Sequence, residues 1–392
     1  MALLKAIRMQ INSEWIKNKV TQNILKIFEG ADHNAYLVGG CIRNSILNIP
    51  VTDIDISTDA TPQQTVDLFN RENFKVAPTG FSHGTVTVIS EGIPYQITTM
   101  RSDQNTDGRH ADVVFSDDIK KDAERRDFTI NALYADSTGK IINPIGGLED
   151  FNPLAIKFIG DPNNRIQEDY LRILRFFRFV AVLDLKNKNI GSNYLPIIKK
   201  HLHGLNELSD ERVAIEIRKI LLAVSPSYAL GLMNAAGLYE KFLGAYSQKS
   251  LVKIERLERR FELKPDLVRR LLALEIQNPY PLMSKREKKC FKDMSALIDF
   301  EHNSDYLGYK VGEKSSLDFL IIKAVKNGIS IKTKDIQRIK KASKRTFPIK
   351  FSDVQTLTKD LNATKENIDL MEDFWIRSGF KASKGKLLGL IN

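Results

Sequence analysis

LVGGCIRNSILNIPVTDIDIST, residues Leu37–Thr58, decides the fold. A short apolar strand over Ala35–Val38 runs into Gly39-Gly40, which opens a helix over Cys41–Leu47, and a second strand follows over Thr52–Ser57. In that strand a period of two puts Asp53 and Asp55 on one face and Ile54 on the other, toward the core. Two adjacent carboxylates repel, and their natural use is to share cations. Two divalent ions about 3.5–4 Å apart can activate an attacking hydroxyl and stabilise a departing pyrophosphate. D-x-D alone also suits the solvated end of a strand, and a glycine pair alone suits a tight turn. The order strand, Gly-Gly, helix, strand, D-x-D joins them. In that order backbone N–H groups at Gly39 and Gly40 can approach a triphosphate, and Arg43 can reach a phosphate oxygen. The absence of G-x-x-x-x-G-K-[ST] and of G-x-G-x-x-G speaks against kinase, ATPase and dehydrogenase readings.

Around this stretch the first 160 residues alternate helix and strand. A helix is predicted over Val20–Phe28 and another over Pro62–Phe69, with Thr61 as N-cap. Gly84–Ile89 and Pro94–Met100 form a hairpin about Glu91-Gly92. Arg101–Asp118 reads as a long loop and Ile119–Ala132 as a helical stretch. Beyond Pro162 the spacing is helical, over Glu168–Val180, Asp210–Val224, Ser227–Ala236 and Leu251–Ile276. Lys285–Lys292 and Lys332–Lys350 are strongly basic, and Phe374–Phe380 supplies apolar residues for terminal packing. The fold class is α+β, a head with a small mixed sheet followed by an all-α remainder.

The chain has 392 residues, 42% hydrophobic and 27% charged, enough for two or three modules. No apolar run approaches the roughly 20 residues that span a bilayer, so no membrane partner is expected. The N-terminal residues lack the pattern of a secretory signal, and a cytoplasmic location is expected. Cys41 and Cys290 stand far apart without a C-x-x-C partner, which excludes a disulfide framework and a zinc site. The net charge of +11 is uneven: residues 1–150 carry 15 basic and 20 acidic side chains, and the remainder carries 44 and 28. A segment at −5 followed by one at +16 suits chemistry in one part and a polyanion, most naturally nucleic acid, on the other. A Lys-rich solvated helical surface is the plain alternative.

LVGGCIRNSILNIPVTDIDIST, ERRDFTINALYAD and EDYLRILRFFRF resemble the successive motifs of the bacterial-type (class II) tRNA nucleotidyltransferase and poly(A) polymerase family of the polymerase β superfamily. The likeness runs from about Tyr36 to Phe179, takes in TDGRHADVVF, and continues more weakly through LSDERVAIEI to DFWIRSGF. It implies a nucleotidyltransferase head over 1–160 with a five-stranded sheet. A helical neck over 161–225 carries the nucleotide-selecting helix, and a body and tail over 226–392 bind the tRNA acceptor arm. It also implies addition of C, C and A to the tRNA 3′ end from CTP and ATP without a template, using two Mg²⁺ ions on Asp53 and Asp55. Poly(A) polymerases and enzymes adding only CC or only A share these motifs. From another class, a non-catalytic RNA-binding protein is the rival, encouraged by Gln96, which stands where the family usually has a glutamate near the metals. Oligomeric state has no signature in the sequence.

By the same resemblance Arg126 binds phosphate, and Asp127 with Asn131 holds the ribose 2′-hydroxyl, an N-cap role for Asp127 being the competing view. Asp169, Arg172, Arg175 and Arg178 recur every third residue, drifting by about 60° per step round a helix. The resemblance implies that Asp169 and Arg172 read the base edge, while Arg175 and Arg178 contact the triphosphate or support the base. An ion pair between Asp169 and Arg172 on a solvated helix face is the alternative. Asp107 and Arg109 correspond to a flexible loop that helps switch from C to A addition.

Overall fold

Ala35–Val38 (β1) and Ile54–Thr58 (β2) lie side by side at the centre of a sheet, antiparallel, with Leu37 opposite Ile56. Their core-facing residues are almost wholly apolar: Leu37 and Ile56 are fully buried. The other strands are Lys75–Ala77 (β3), Thr85–Ser90 (β4), Ile93–Thr99 (β5), Arg101–Gln104 (β6), Asp112–Phe115 (β7), Tyr134–Ala135 (β8) and Ile141–Ile142 (β9). Seven of them form one mixed sheet in the order β3-β4-β5-β2-β1-β8-β9, and β6 pairs with β7 separately. Among the described strands only β2 and β5 run parallel, in a register that sets Asp55 beside Gln96. The computed structural model describes residues 10–104, 112–185, 190–244, 247–276, 279–299, 301, 303–358 and 360–391.

The helices of the first part are Glu14–Lys17 (α1), Lys19–Gly30 (α2), Gly40–Ile46 (α3), Pro62–Arg71 (α4), Ile119–Glu124 (α5), Pro162–Glu168 (α6), Leu171–Val182 (α7), Ile190–Lys200 (α8), Asp210–Leu221 (α9) and Ser227–Ala235 (α10). Thr61 caps α4 in a capping box with Gln64, as the Thr-Pro start of that helix predicts. Phe28 of α2 meets Phe69 of α4 edge to face, centroids 5.3 Å apart, and both rings are fully buried. Each such ring stabilises the fold by roughly 1.5–3 kcal/mol.

By its contacts the chain divides into two compact units, Met1–Tyr239 and Glu240–Asn392. The first therefore holds the head segment and the neck together, Phe179 and Arg175 of α7 meeting Phe128 and Asp127 of the head. In the second unit, described by itself, the helices include Gln248–Arg260, Leu267–Ala273, Lys285–Ile298, Ser304–Tyr306, Glu313–Asn327, Thr333–Ala342, Phe351–Thr358, Leu361–Arg377 and Lys384–Leu388. Arg269 and Arg270 are buried against Glu258, and Arg269 also against Asp318. Trp375, Met371, Val354 and Leu387 build the terminal core, with Phe374 and Phe380 packed on it. No helix among the described residues is long and apolar enough to cross a membrane.

The structure departs from the sequence reading at five places. The sheet has seven strands rather than five, because the short segments β8 and β9 extend it beyond β1. Within the stretch read as a loop, β6 and β7 pair with Arg101 opposite Phe115. The helix expected to Ala132 stops at Glu124: Phe128 is extended, with φ −126° and ψ 146°, and a 3₁₀ turn over Thr129–Asn131 follows. The stretch Glu168–Val180 is broken at Asp169, whose φ of −154° and ψ of 104° end α6 before α7 begins. Leu251–Ile276 is two helices, separated between Phe261 and Asp266, where Glu262 has φ +53°.

Candidate active site

Asp53 and Asp55 line the same pocket, of about 610 Å³, in the first unit. Ile54 between them is 7% exposed and points into the core. Gln96, beside Asp55 in register, lines the pocket too. Among the described residues neither carboxylate pairs with a cation or accepts a hydrogen bond. Burial, and then Asp53 alongside, push the Asp55 carboxyl above its ordinary value, while Arg126 and Arg43 pull it back. Two carboxylates, one just before β2 and one on it, and an amide oxygen on the adjoining β5 form a hard oxygen donor set, which fits a divalent cation such as Mg²⁺.

Opposed to these acids, the pocket is lined by Arg43, Arg101, Arg125, Arg126, Arg172, Arg175, Arg178, Arg212 and Lys219. The carboxylates lining it are Asp53, Asp55, Asp127 and Asp169, so cations exceed anions by five. Gly39 and Gly40 form part of the wall. Gly39 has φ +73°, which L side chains adopt rarely, and a Cβ there would lie 3.4 Å from Arg126 Nη1. That conformation turns the chain from β1 into α3 and carries Arg43 to the pocket.

Each arginine is anchored from behind. Arg43, 9% exposed, donates to Asn131 and, at 2.9 Å, to Asn44. Burial lowers its guanidinium below the ordinary range, with Asp127 opposing. Arg126 donates to Asp122 at 3.0 Å and to the Tyr134 hydroxyl at 3.1 Å. Asp122 is fully buried and also accepts from Ser57, Arg125 and Tyr134. Arg175 Nε donates to Asp127 Oδ2 at 2.7 Å. The other oxygen of Asp127 accepts from the Phe128 amide and from Asn131 Nδ2. Burial alone would raise the Asp127 carboxyl, but Arg175, Asn131 and the Phe128 amide hold it well below the usual carboxylate range. Arg178 donates to Glu216 of α9 at 3.2 Å. Burial, and then Arg175 nearby, bring the Arg178 guanidinium down to about 10.

The residues expected to read a base lie at the break between α6 and α7. Arg172 donates to the Arg165 carbonyl at 2.7 Å, to Glu168 at 2.6 Å and to the Arg125 carbonyl at 3.1 Å. Asp169 accepts from Arg212 at 2.9 Å and from the Leu171 amide at 3.1 Å. The intrahelical pair between Asp169 and Arg172 does not form: Glu168, one residue earlier, takes Arg172, and Arg212 takes Asp169.

Asp53, Asp55, Gly39, Gly40, Arg43, Arg126, Asp127, Asn131, Asp169, Arg172, Arg175 and Arg178 are thus all brought to one pocket. Asp127 and Asn131 do bond at i, i+4, but across an extended residue and a 3₁₀ turn rather than on one α-helical face. Asp107 and Arg109 lie outside the described residues. Sequence reasoning missed Arg212, Glu216 and Lys219, although their spacing of four and three puts them on one face of α9. It also missed Asp122, whose i, i+4 relation to Arg126 was open to notice.

A sequence profile described as "Poly A polymerase head domain" matches residues 35–157, and one described as "Probable RNA and SrmB- binding site of polymerase A" matches residues 190–248. The chain is 31% identical over 362 residues to the CCA-adding enzyme of Bacillus pumilus, covering 88% of this chain and 86% of that protein. It is 35% identical over 247 residues to the CCA-adding enzyme of Anoxybacillus flavithermus, covering 60% of each, less than two thirds of that relative's own length. The crystal structure of Bacillus stearothermophilus CCA-adding enzyme in complex with CTP has a similar fold, with TM-score 0.68 and 24% identity over 94% of this chain and 95% of that one.

Proposed function

The chain belongs to the family of CCA-adding enzymes, and from that premise we propose that it is a nucleotidyltransferase that adds C, C and A to the 3′ end of tRNA, using CTP and ATP without a nucleic-acid template. The observation that carries the reading is one pocket holding Asp53 and Asp55 together with nine cationic side chains. Asp53 and Asp55, with the Gln96 amide oxygen beside them, would hold the divalent cations. Bound there, Mg²⁺ would supply Lewis-acid chemistry, easing ionisation of the attacking 3′-hydroxyl and offsetting charge on the pyrophosphate. Arg43, Arg126, Arg175 and Arg178 bind the triphosphate oxygens and stabilise the leaving group. Gly39 and Gly40 keep side-chain bulk out of that path. Asn131, fixed by Asp127 and Arg43, borders the ribose 2′-hydroxyl.

Base choice falls to Asp169, an acceptor, and Arg172, a donor. Cytosine N4 and N3, and adenine N6 and N1, present a donor followed by an acceptor. Uracil and guanine present the reverse and would leave buried groups unpaired. Arg212, bonded to both oxygens of Asp169, holds that carboxylate in place. The +16 net charge beyond residue 150 supplies cations for the phosphates of the tRNA acceptor arm.

The test is incubation of the protein with tRNA ending before CCA, Mg²⁺ and labelled nucleotides added singly and together. C incorporation from CTP, then A only after C, supports the proposal. Long A tails without C would make the chain a poly(A) polymerase instead.

A further inference from the structure

The Phe179 ring is surrounded by three guanidinium groups, with centroid distances of 4.5 Å to Arg178, 4.9 Å to Arg43 and 5.9 Å to Arg175. It is only 3% exposed yet lines the pocket, and Phe128 packs against it edge-on at 5.4 Å. Three positive charges gathered this closely repel one another. Two carboxylates answer them, Asp127 on Arg175 and Glu216 on Arg178, while Arg43 has the neutral amides of Asn131 and Asn44. A third carboxylate would balance the charge but would also occupy the N–H donors that phosphate oxygens need. An aromatic face attracts cations through its quadrupole and takes up no N–H donor in the guanidinium plane.

We propose that Phe179 is a positioning residue for the triphosphate, its ring holding Arg43, Arg175 and Arg178 converged on the pocket before the phosphates enter. This rests on the assignment of those arginines to the triphosphate. Without the ring they splay apart, and part of the nucleotide's binding energy goes into gathering them again. The defect therefore appears in nucleotide affinity and KM more than in kcat.

The experiment uses the full chain with Phe179→Leu, and with fluorinated phenylalanines placed at 179 by nonsense suppression. Fluorination keeps the ring's shape and drains its face. Calorimetry with Mg²⁺ measures binding of CTP, pyrophosphate and CMP, and steady-state C incorporation gives KM and kcat. Phe179→Leu is expected to weaken CTP and pyrophosphate roughly tenfold while CMP, lacking the outer phosphates, changes little. Affinity falls stepwise with fluorine number. Wild-type CTP affinity in the fluorinated proteins would overturn the proposal. Arg175→Gln separates the two ideas. If it weakens CTP while the ring variants do not, Phe179 is only packing and the triphosphate assignment stands. If it also leaves CTP and pyrophosphate affinity unchanged, that assignment fails and takes the proposal with it.

Discussion

Asp122→Asn tests the claim that the pocket's arginines are held by buried acids behind them. The Asp122 carboxylate is fully buried and faces donors at both oxygens: Arg125 at Oδ1, and Ser57, Tyr134 and Arg126 at Oδ2. An asparagine will turn its carbonyl to the three donors and set its NH₂ against Arg125, so one donor is opposed and one negative charge is lost between two guanidiniums. Removing one side of a buried, hydrogen-bonded pair costs about 3–5 kcal/mol, and the retained acceptor places this change near the lower end. The measurement is urea unfolding in a Trp375→Phe background. Of the two tryptophans, Trp15 then reports alone, bonded to Ser45 in the first unit. The pH dependence follows from the sign of the shift. Burial by itself would raise the Asp122 carboxyl, but Arg126 and Arg125 hold it well below the usual range. Its contribution is therefore complete above the unfolded value of about 3.9 and is lost as pH falls below it toward the folded value. The gap between wild type and variant stays constant from pH 8 to about pH 5 and closes only in stronger acid. A loss under about 1 kcal/mol, or a gap already shrinking near neutral pH, refutes the reasoning.

Three further outcomes follow. Asp55→Asn will reduce C and A incorporation by roughly a thousandfold or more without lowering the melting temperature, since its carboxylate has no protein partner to lose among the described residues; single-turnover assays and thermal melts check both halves. Arg212→Gln removes the cation bonded to Asp169, so the ratio of kcat/KM for CTP over UTP should fall about tenfold, and an unchanged ratio would count against Arg212 as the support of base choice. Replacing the exposed Lys334, Lys341 and Lys344 by alanine will weaken tRNA binding and lower the slope of log affinity against log salt by up to about 0.9 for each phosphate no longer neutralised; an unaltered slope in a filter-binding titration places the RNA elsewhere.

The sequence by itself determined the head's local order, because strand–Gly-Gly–helix–strand–D-x-D depends on short-range rules. A period of two set Asp53 and Asp55 on one side, and Gly39 supplied the φ of +73° that the turn needs. The capped α4 and the loss of strands after Pro162 were legible for the same reason. What only the tertiary structure decided was who partners whom. Asp169 and Arg172 stand three residues apart and read as a pair, yet the chain breaks between α6 and α7, and α9, some forty residues on, brings Arg212 to Asp169 and Glu216 to Arg178. The convergence of Arg43, Arg175 and Arg178 on Phe179 likewise joins α3 to α7. Spacing along a chain fixes which face a side chain occupies; charge balance in a buried pocket depends on every element packed around it, and no local pattern records that sum.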